Sequence, residues 1–174
     1  MFNVLLTLGG SNTDELKTKL LSALVLVDLN LNIRVITGAS STSQQHDDSK
    51  YRHPVTVVGF AGNMAEQYVW ADVVVGAAGS SCWEWLFFHR IGAVTPIATN
   101  QVAIAESLQK RGLAINLGWH ESLDVTSVAE RLDKLLRSGN RHKDQSLVDG
   151  KGAARVVEAI LAFNTGQHHS PCCQ

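Results

Sequence analysis

Short, mostly apolar runs punctuate the chain at positions 4–8, 33–37, 55–58, 73–75, 93–97 and 114–117. They are apolar at successive rather than alternate positions, the pattern of strands buried on both faces. Between them, segments of helical periodicity predict helices over 14–27, 63–70, 81–89, 101–111 and 125–137, with a last one over 152–163. In the first, Leu16, Leu20, Leu24 and Val27 form one apolar stripe. Strand and helix alternating this regularly imply right-handed crossovers and a parallel sheet covered on both sides. The predicted fold class is therefore α/β, a Rossmann-like doubly wound sheet.

Two stretches fall outside this pattern. Residues 39–53 are polar, rich in Ser and Asp, and aperiodic, which predicts a long surface loop or mobile connection within one domain. Residues 164–174 carry no pattern that would bury them and are expected to form a flexible tail. The remaining 1–163 fit a single domain large enough to fold without disulfides or metals.

Composition narrows the partners. With 45% hydrophobic and 18% charged residues and a formal net charge of -1, the chain offers no basic surface for nucleic acid. No apolar run approaches the roughly 20 residues of a membrane span, so no direct membrane insertion is expected. The first residues lack a basic leader and a small-residue cleavage site, which predicts a cytoplasmic protein. Cys82 stands alone and Cys172 and Cys173 are vicinal, neither a disulfide framework nor a metal pattern. Nothing in the sequence requires a metal or a cofactor.

In a parallel α/β sheet ligands bind beyond the carboxyl ends of the strands, so the residues after each apolar run carry the chemistry. After the first come Gly9, Gly10, Ser11 and Asn12, suited to close approach by a phosphate or sugar hydroxyl. The same residues also read as a turn, with Ser11 and Asp14 in capping-box spacing. After the fourth run, Gly76-Ala77-Ala78-Gly79-Ser80-Ser81 leads into a helix. Its free N–H groups and the Ser80 and Ser81 hydroxyls suit a diphosphate. One turn later Glu84 could accept from a ribose or, as Ser81-x-x-Glu84, close a capping box. After the third run, Phe60 and Met64 flank Gly62 and could hold a base or simply join the core. After the fifth, Asn100 and Gln101 offer amides, Asn100 doubling as a helix cap. No P-loop, GxGxxG, HExxH or Ser-His-Asp order is present, and the histidines and most tryptophans read as surface or packing residues.

These edges, in this order, resemble the C-terminal domain of the GT-B nucleotide-sugar enzymes, of the glycosyltransferase family 28 C-terminal type. Within that group they resemble the UDP-sugar hydrolases of pseudaminic acid biosynthesis. The resemblance rests on Leu6 to Ser11, Asn63 to Glu66, Ala71-Asp72, Gly76 to Ser81 with Trp83-Glu84, and Asn100-Gln101 with Ile104-Ala105. It continues through Ala114 to Trp119 and Asp149 to Gly152 with Arg155-Val156-Val157.

The resemblance implies UDP or a UDP-sugar as ligand, with 1–163 as the nucleotide-sugar-binding domain. Diphosphate would lie at Gly10, Ser80 and Ser81, in the loops that also hold Ser11 and Gly79. Ribose would lie at Glu84, uracil near Phe60 and Met64, and the sugar near Asn100 and Gln101. Thr99 departs from the acidic residue often found before Asn-Gln, which bears on sugar preference. The hydrolase's N-terminal half brings a Gly-x-Gly-His loop, and none of the seven histidines here lies in one. The expectation is a donor-binding half, inactive alone, with no catalytic residue of its own and a separate N-terminal-domain-like chain as candidate partner. Its alternatives are the soluble subunit of a split UDP-N-acetylglucosamine transferase, a non-catalytic nucleotide-sugar-binding module, and a doubly wound domain for another ligand.

Overall fold

The computed structural model describes residues 1–9, 14–37, 52–59, 61–139 and 147–164. Among them, β1 (Phe2–Thr7), β2 (Leu31–Ile36), β3 (Val55–Val58), β4 (Val73–Ala77), β5 (Ile91–Thr95) and β6 (Ala114–Asn116) form one sheet in the order β3-β2-β1-β4-β5-β6. Every pairing is parallel. The helices are α1 (Asp14–Leu26), α2 (Met64–Trp70), α3 (Ser81–Phe87), α4 (Val102–Lys110), α5 (Val125–Arg137) and α6 (Gly152–Asn164).

The predicted doubly wound arrangement forms because each face of the sheet has its own apolar cover. On one side Leu16, Leu20 and Leu24 of α1 and Leu132, Leu135 and Leu136 of α5 pack over Val4, Leu6, Ile33 and Val75. On the other, Tyr68 of α2, Trp85 and Leu86 of α3 and Leu108 of α4 pack over Leu5, Val74 and Val94. Alternate residues of one strand thus serve opposite cores, which is why the runs are apolar throughout.

β1, β2 and β5 begin earlier than their apolar runs. Asn3 and Asn32 sit opposite each other in β1 and β2, where Asn32 Nδ2 donates to Asn3 Oδ1 at 3.3 Å, so a polar pair follows Phe2 and Leu31 near the start of the ladder. β4 runs on through Gly76 and Ala77, paired to Val94 and Thr95. At Gly76 a Cβ would lie 2.2 Å from the Thr7 carbonyl oxygen, and at Gly92 one would lie 2.5 Å from Trp85 Cη2. Both glycines are therefore packing requirements. The fourth helix reading, 101–111, resolves into a 3-10 turn at Thr99–Gln101 followed by α4.

Residues 38–51 of the expected polar loop and 165–174 of the expected tail lie outside the described residues. His53, read as the end of that loop, is instead buried at 4% exposure with Nε2 3.2 Å from the Val27 carbonyl oxygen. It is held in the core beside the end of α1. In α6, by contrast, Val156, Val157, Ile160 and Leu161 are each more than half exposed. Their i, i+4 spacing puts them in two adjacent rows on one face of the helix. Among the described residues, no helix is long and apolar enough to cross a membrane.

Two predictions follow from this packing. Gly76→Ala forces β1 and β4 apart and is expected to cost on the order of 2–3 kcal/mol in urea unfolding, as overpacking of a close-packed interior does. A cost below about 0.5 kcal/mol would show that the strands separate freely. His53 gives a pH signature: burial lowers its pKa, the Val27 carbonyl partly opposes this, and the Arg52 charge lowers it further. Unfolded, the ring takes up its proton near pH 6.5, whereas the folded chain takes it up only at lower pH. Stability is then fully present above about 6.5 and declines as pH falls below it. His53→Gln should flatten the decline of the urea midpoint between pH 7 and 5; an unchanged slope would place the proton uptake elsewhere.

Candidate functional site

The strand order reverses between β1 and β4: the chain moves outward through β2 and β3, then returns to build β4, β5 and β6 on the other side. A crevice opens at such a switch point, because the loops after the two central strands lead to opposite faces of the sheet. On the β1 side, Gly9 takes a left-handed φ of 78°, which turns the chain away from the sheet. Gly10 and Ser11, the predicted contacts that follow, lie outside the described residues.

On the β4 side, Ala78 N donates to Thr95 O at 3.0 Å, pinning the loop to β5. The first bonds of the turn run from Cys82 N to Gly79 O and from Trp83 N to Ser80 O, each 3.1 Å. This leaves the N–H groups of Gly79, Ser80 and Ser81 without acceptors among the described residues, as at any helix start. Ser80 is exposed and occupies the cap position with helical φ and ψ, and its hydroxyl makes no capping bond. The capping-box reading of Ser81 and Glu84 is not what forms: Ser81 is already the first helical residue. The Glu84 carboxylate, exposed on α3, instead accepts from the Tyr68 hydroxyl at 3.1 Å.

Tyr68 is a residue that the strand-edge reading passes over. It is 1% exposed, its ring tilts against Phe88 with centroids 6.0 Å apart, and only its hydroxyl reaches the carboxylate. Burial, and then the Glu84 charge, push its pKa well above the usual phenol value, so it stays protonated and donates. No local signal pairs residues 68 and 84; the contact arises because α2 and α3 lie side by side on one face. Met64, four residues before Tyr68, shares its face of α2 and is half-buried against the same core. Asn63 caps that helix, accepting from Ala65 N at 3.1 Å. Phe60 lies outside the described residues.

The β5 edge reverses the expected roles of its two amides. Asn100 is exposed and caps nothing, because the 3-10 turn at Thr99–Gln101 intervenes before α4 begins. Gln101 has the structural bond, its Oε1 accepting from Ile97 N at 3.1 Å. Its Nε2 faces the β4 loop, 3.6 Å from where a Gly79 Cβ would stand. Gln101 thus brings the loops after β4 and β5 together. Farther along the edge, the fully buried Thr95 hydroxyl donates to Gly118 O at 2.6 Å, and Arg131 of α5 holds the Leu117 carbonyl at 3.2 Å. These bonds fix the turn that presents Trp119 and His120.

Gly79, Ser80, Ser81 and Glu84 thus follow one another through the β4 loop and the first turn of α3, with Gln101 reaching Gly79 and Met64 on the neighbouring helix. Such a set can bind an anion through N–H and hydroxyl donors and a polyol through a carboxylate and an amide. Cys82, behind the loop, is no nucleophile: burial pushes its thiol up to about 12, opposed in part by the Trp85 contact. Among the described residues there is no group of three His, Cys, Asp or Glu that could hold a metal.

Residues 4–160 match the glycosyltransferase family 28 C-terminal domain. No curated protein matches the chain in sequence. Among solved structures, MurG of Acinetobacter baumannii is similar with a TM-score of 0.74 at 21% identity, covering 92% of this chain and 49% of that one. The glycosyltransferase VinC, solved with DTDP, aligns at TM-score 0.64 and 15% identity over 95% of this chain and 42% of its own. UGT89C1 of Arabidopsis thaliana, solved with UDP-L-rhamnose, aligns at 0.60 and 14% over 91% and 39%. The chain therefore spans at most about half the length of these structures, which it resembles in fold. With the matched segment running from β1 into α6, the chain belongs to the glycosyltransferase family 28 C-terminal domain family.

Proposed function

We propose that this chain is the nucleotide-sugar-binding half of a GT-B enzyme, holding UDP at the β1–β4 switch point. The observation that carries the reading is the β4–α3 loop. Three N–H groups and the hydroxyls of Ser80 and Ser81 stand together at a helix start, with Glu84 one turn on. Diphosphate at that loop would set the ribose against Glu84, uracil beside Met64 and Phe60, and the sugar toward Asn100 and Gln101. Gly10 and Ser11 would close the diphosphate site from the β1 side. VinC was solved with DTDP and UGT89C1 with UDP-L-rhamnose, ligands of this class.

The motif resemblance favours a UDP-sugar hydrolase of the pseudaminic acid type, working in the cytoplasm. Chemistry at the anomeric carbon requires a water or acceptor placed against a stabilised leaving group. The residues assembled here supply the leaving-group clamp, and the activating base belongs to the other half. The apolar face of α6 supports a two-part molecule over an isolated binding module. Val156, Val157, Ile160 and Leu161 form the kind of exposed stripe that another surface covers. The occupant that fits is the other half of the enzyme, carried on the same or on a separate polypeptide as in the split transferases, since similar structures are about twice this length or more.

Calorimetric titration with UDP tests the site. Saturable binding is expected, weakened about tenfold or more by Ser81→Ala and by Glu84→Ala, the loss typical of a hydrogen bond to a charged group. The chain alone should release no sugar from a UDP-sugar. No binding at millimolar UDP would sink the donor-site reading. For α6, Val157→Ser with Leu161→Ser should leave the stability of the chain alone within about 0.5 kcal/mol, the range of exposed positions. A loss of several kcal/mol would mean that the face is already covered within this chain.

A further inference from the structure

Glu84 is exposed on α3, and a free glutamate there would sample several rotamers that ribose binding must freeze out. It is not free, because the Tyr68 hydroxyl donates to Oε2 at 3.1 Å. Tyr68 itself cannot wander: it is 1% exposed, seated in the core beneath α2, with Phe88 against its ring. A carboxylate offers about four lone-pair positions, and one phenol occupies one of them. The remaining positions on Glu84 stay open to the two hydroxyls of a vicinal diol.

From this geometry we propose that Tyr68 is a positioning residue for ribose recognition. Its buried hydroxyl holds the Glu84 carboxylate in the orientation that accepts the 2′- and 3′-hydroxyls of the bound nucleotide. The proposal rests on the reading of Glu84 as the ribose contact. Tyr68 never touches the ligand; it acts by sparing Glu84 the ordering cost of binding, and it selects ribose over deoxyribose through that side chain. A purely structural Tyr68 would support the α2–α3 contact and leave sugar selectivity alone.

The test is calorimetric titration of the full chain, as wild type, Tyr68→Phe and Glu84→Gln, with UDP and with 2′-deoxyuridine diphosphate. Thermal melting run alongside confirms that each variant is folded, and the Phe variant keeps the ring and its packing. Wild type should prefer UDP, and Glu84→Gln should abolish the preference. Tyr68→Phe should weaken UDP roughly three- to tenfold, the scale of immobilising one side chain, with the deoxy ligand nearly unaffected. Two results overturn the proposal while sparing Glu84: Tyr68→Phe with the wild-type preference intact, or with both ligands weakened equally. A wild type that binds UDP without preferring it, or a Glu84→Gln that keeps the preference, removes the ribose role of Glu84 and the proposal with it. The diphosphate site would then still stand on the UDP titration.

Discussion

The contact between β1 and β4 constrains everything around the candidate site. These are the two central strands, and the direction of winding reverses between them. The Thr7 carbonyl of β1 lies so close to Gly76 of β4 that any side chain there would collide with it. Because Gly76 is bare, β4 can run on to Ala77 and deliver the Gly79-Ser80-Ser81 turn to the rim beside Gly9. The two glycines of the Gly76-x-x-Gly79 loop therefore have different duties. Gly76 is needed by the sheet, whereas a Cβ at Gly79 would only reach ordinary van der Waals contact with Gln101 Nε2, 3.6 Å away.

Around that junction the polar side chains have structural partners that also order the rim. Gln101 uses its carbonyl to hold Ile97 and turns its amide N–H toward the β4 loop. Thr95 uses a buried hydroxyl to tie β5 to the turn after β6. Glu84 is steadied by a phenol rooted in the core. The Tyr68–Glu84 and Thr95–Gly118 bonds each join residues far apart in the chain and so tie neighbouring elements together at this edge.

α1 and α5 close one side of the sheet and α2, α3 and α4 the other, while α6 lies exposed and carries Val156, Val157, Ile160 and Leu161, each more than half exposed. Burying that stripe would remove apolar surface from water at roughly 25 cal/mol per Å².

Much of the architecture is written in local pattern. Runs such as Val73-Val74-Val75 could only be strands covered on both faces, and the Leu16, Leu20, Leu24 stripe could only bury one side of a helix, because both periods follow from backbone geometry. Membership of the family was legible too, in short motifs read at the strand ends. What those motifs could not convey is which of two local roles a residue takes. Ser81 and Glu84 have capping-box spacing, yet the box is absent, because Glu84 finds Tyr68 across the gap between two helices. Asn100 has the look of a cap, yet Gln101 makes the bond. His53 reads as loop and is core. The sequence by itself determined the alternation of elements and the sheet type, since these depend on neighbours in the chain. The partners of Glu84 and His53 were decided only by the tertiary structure, because a hydrogen bond between residues on different elements depends on how those elements pack, and spacing along the chain does not encode that.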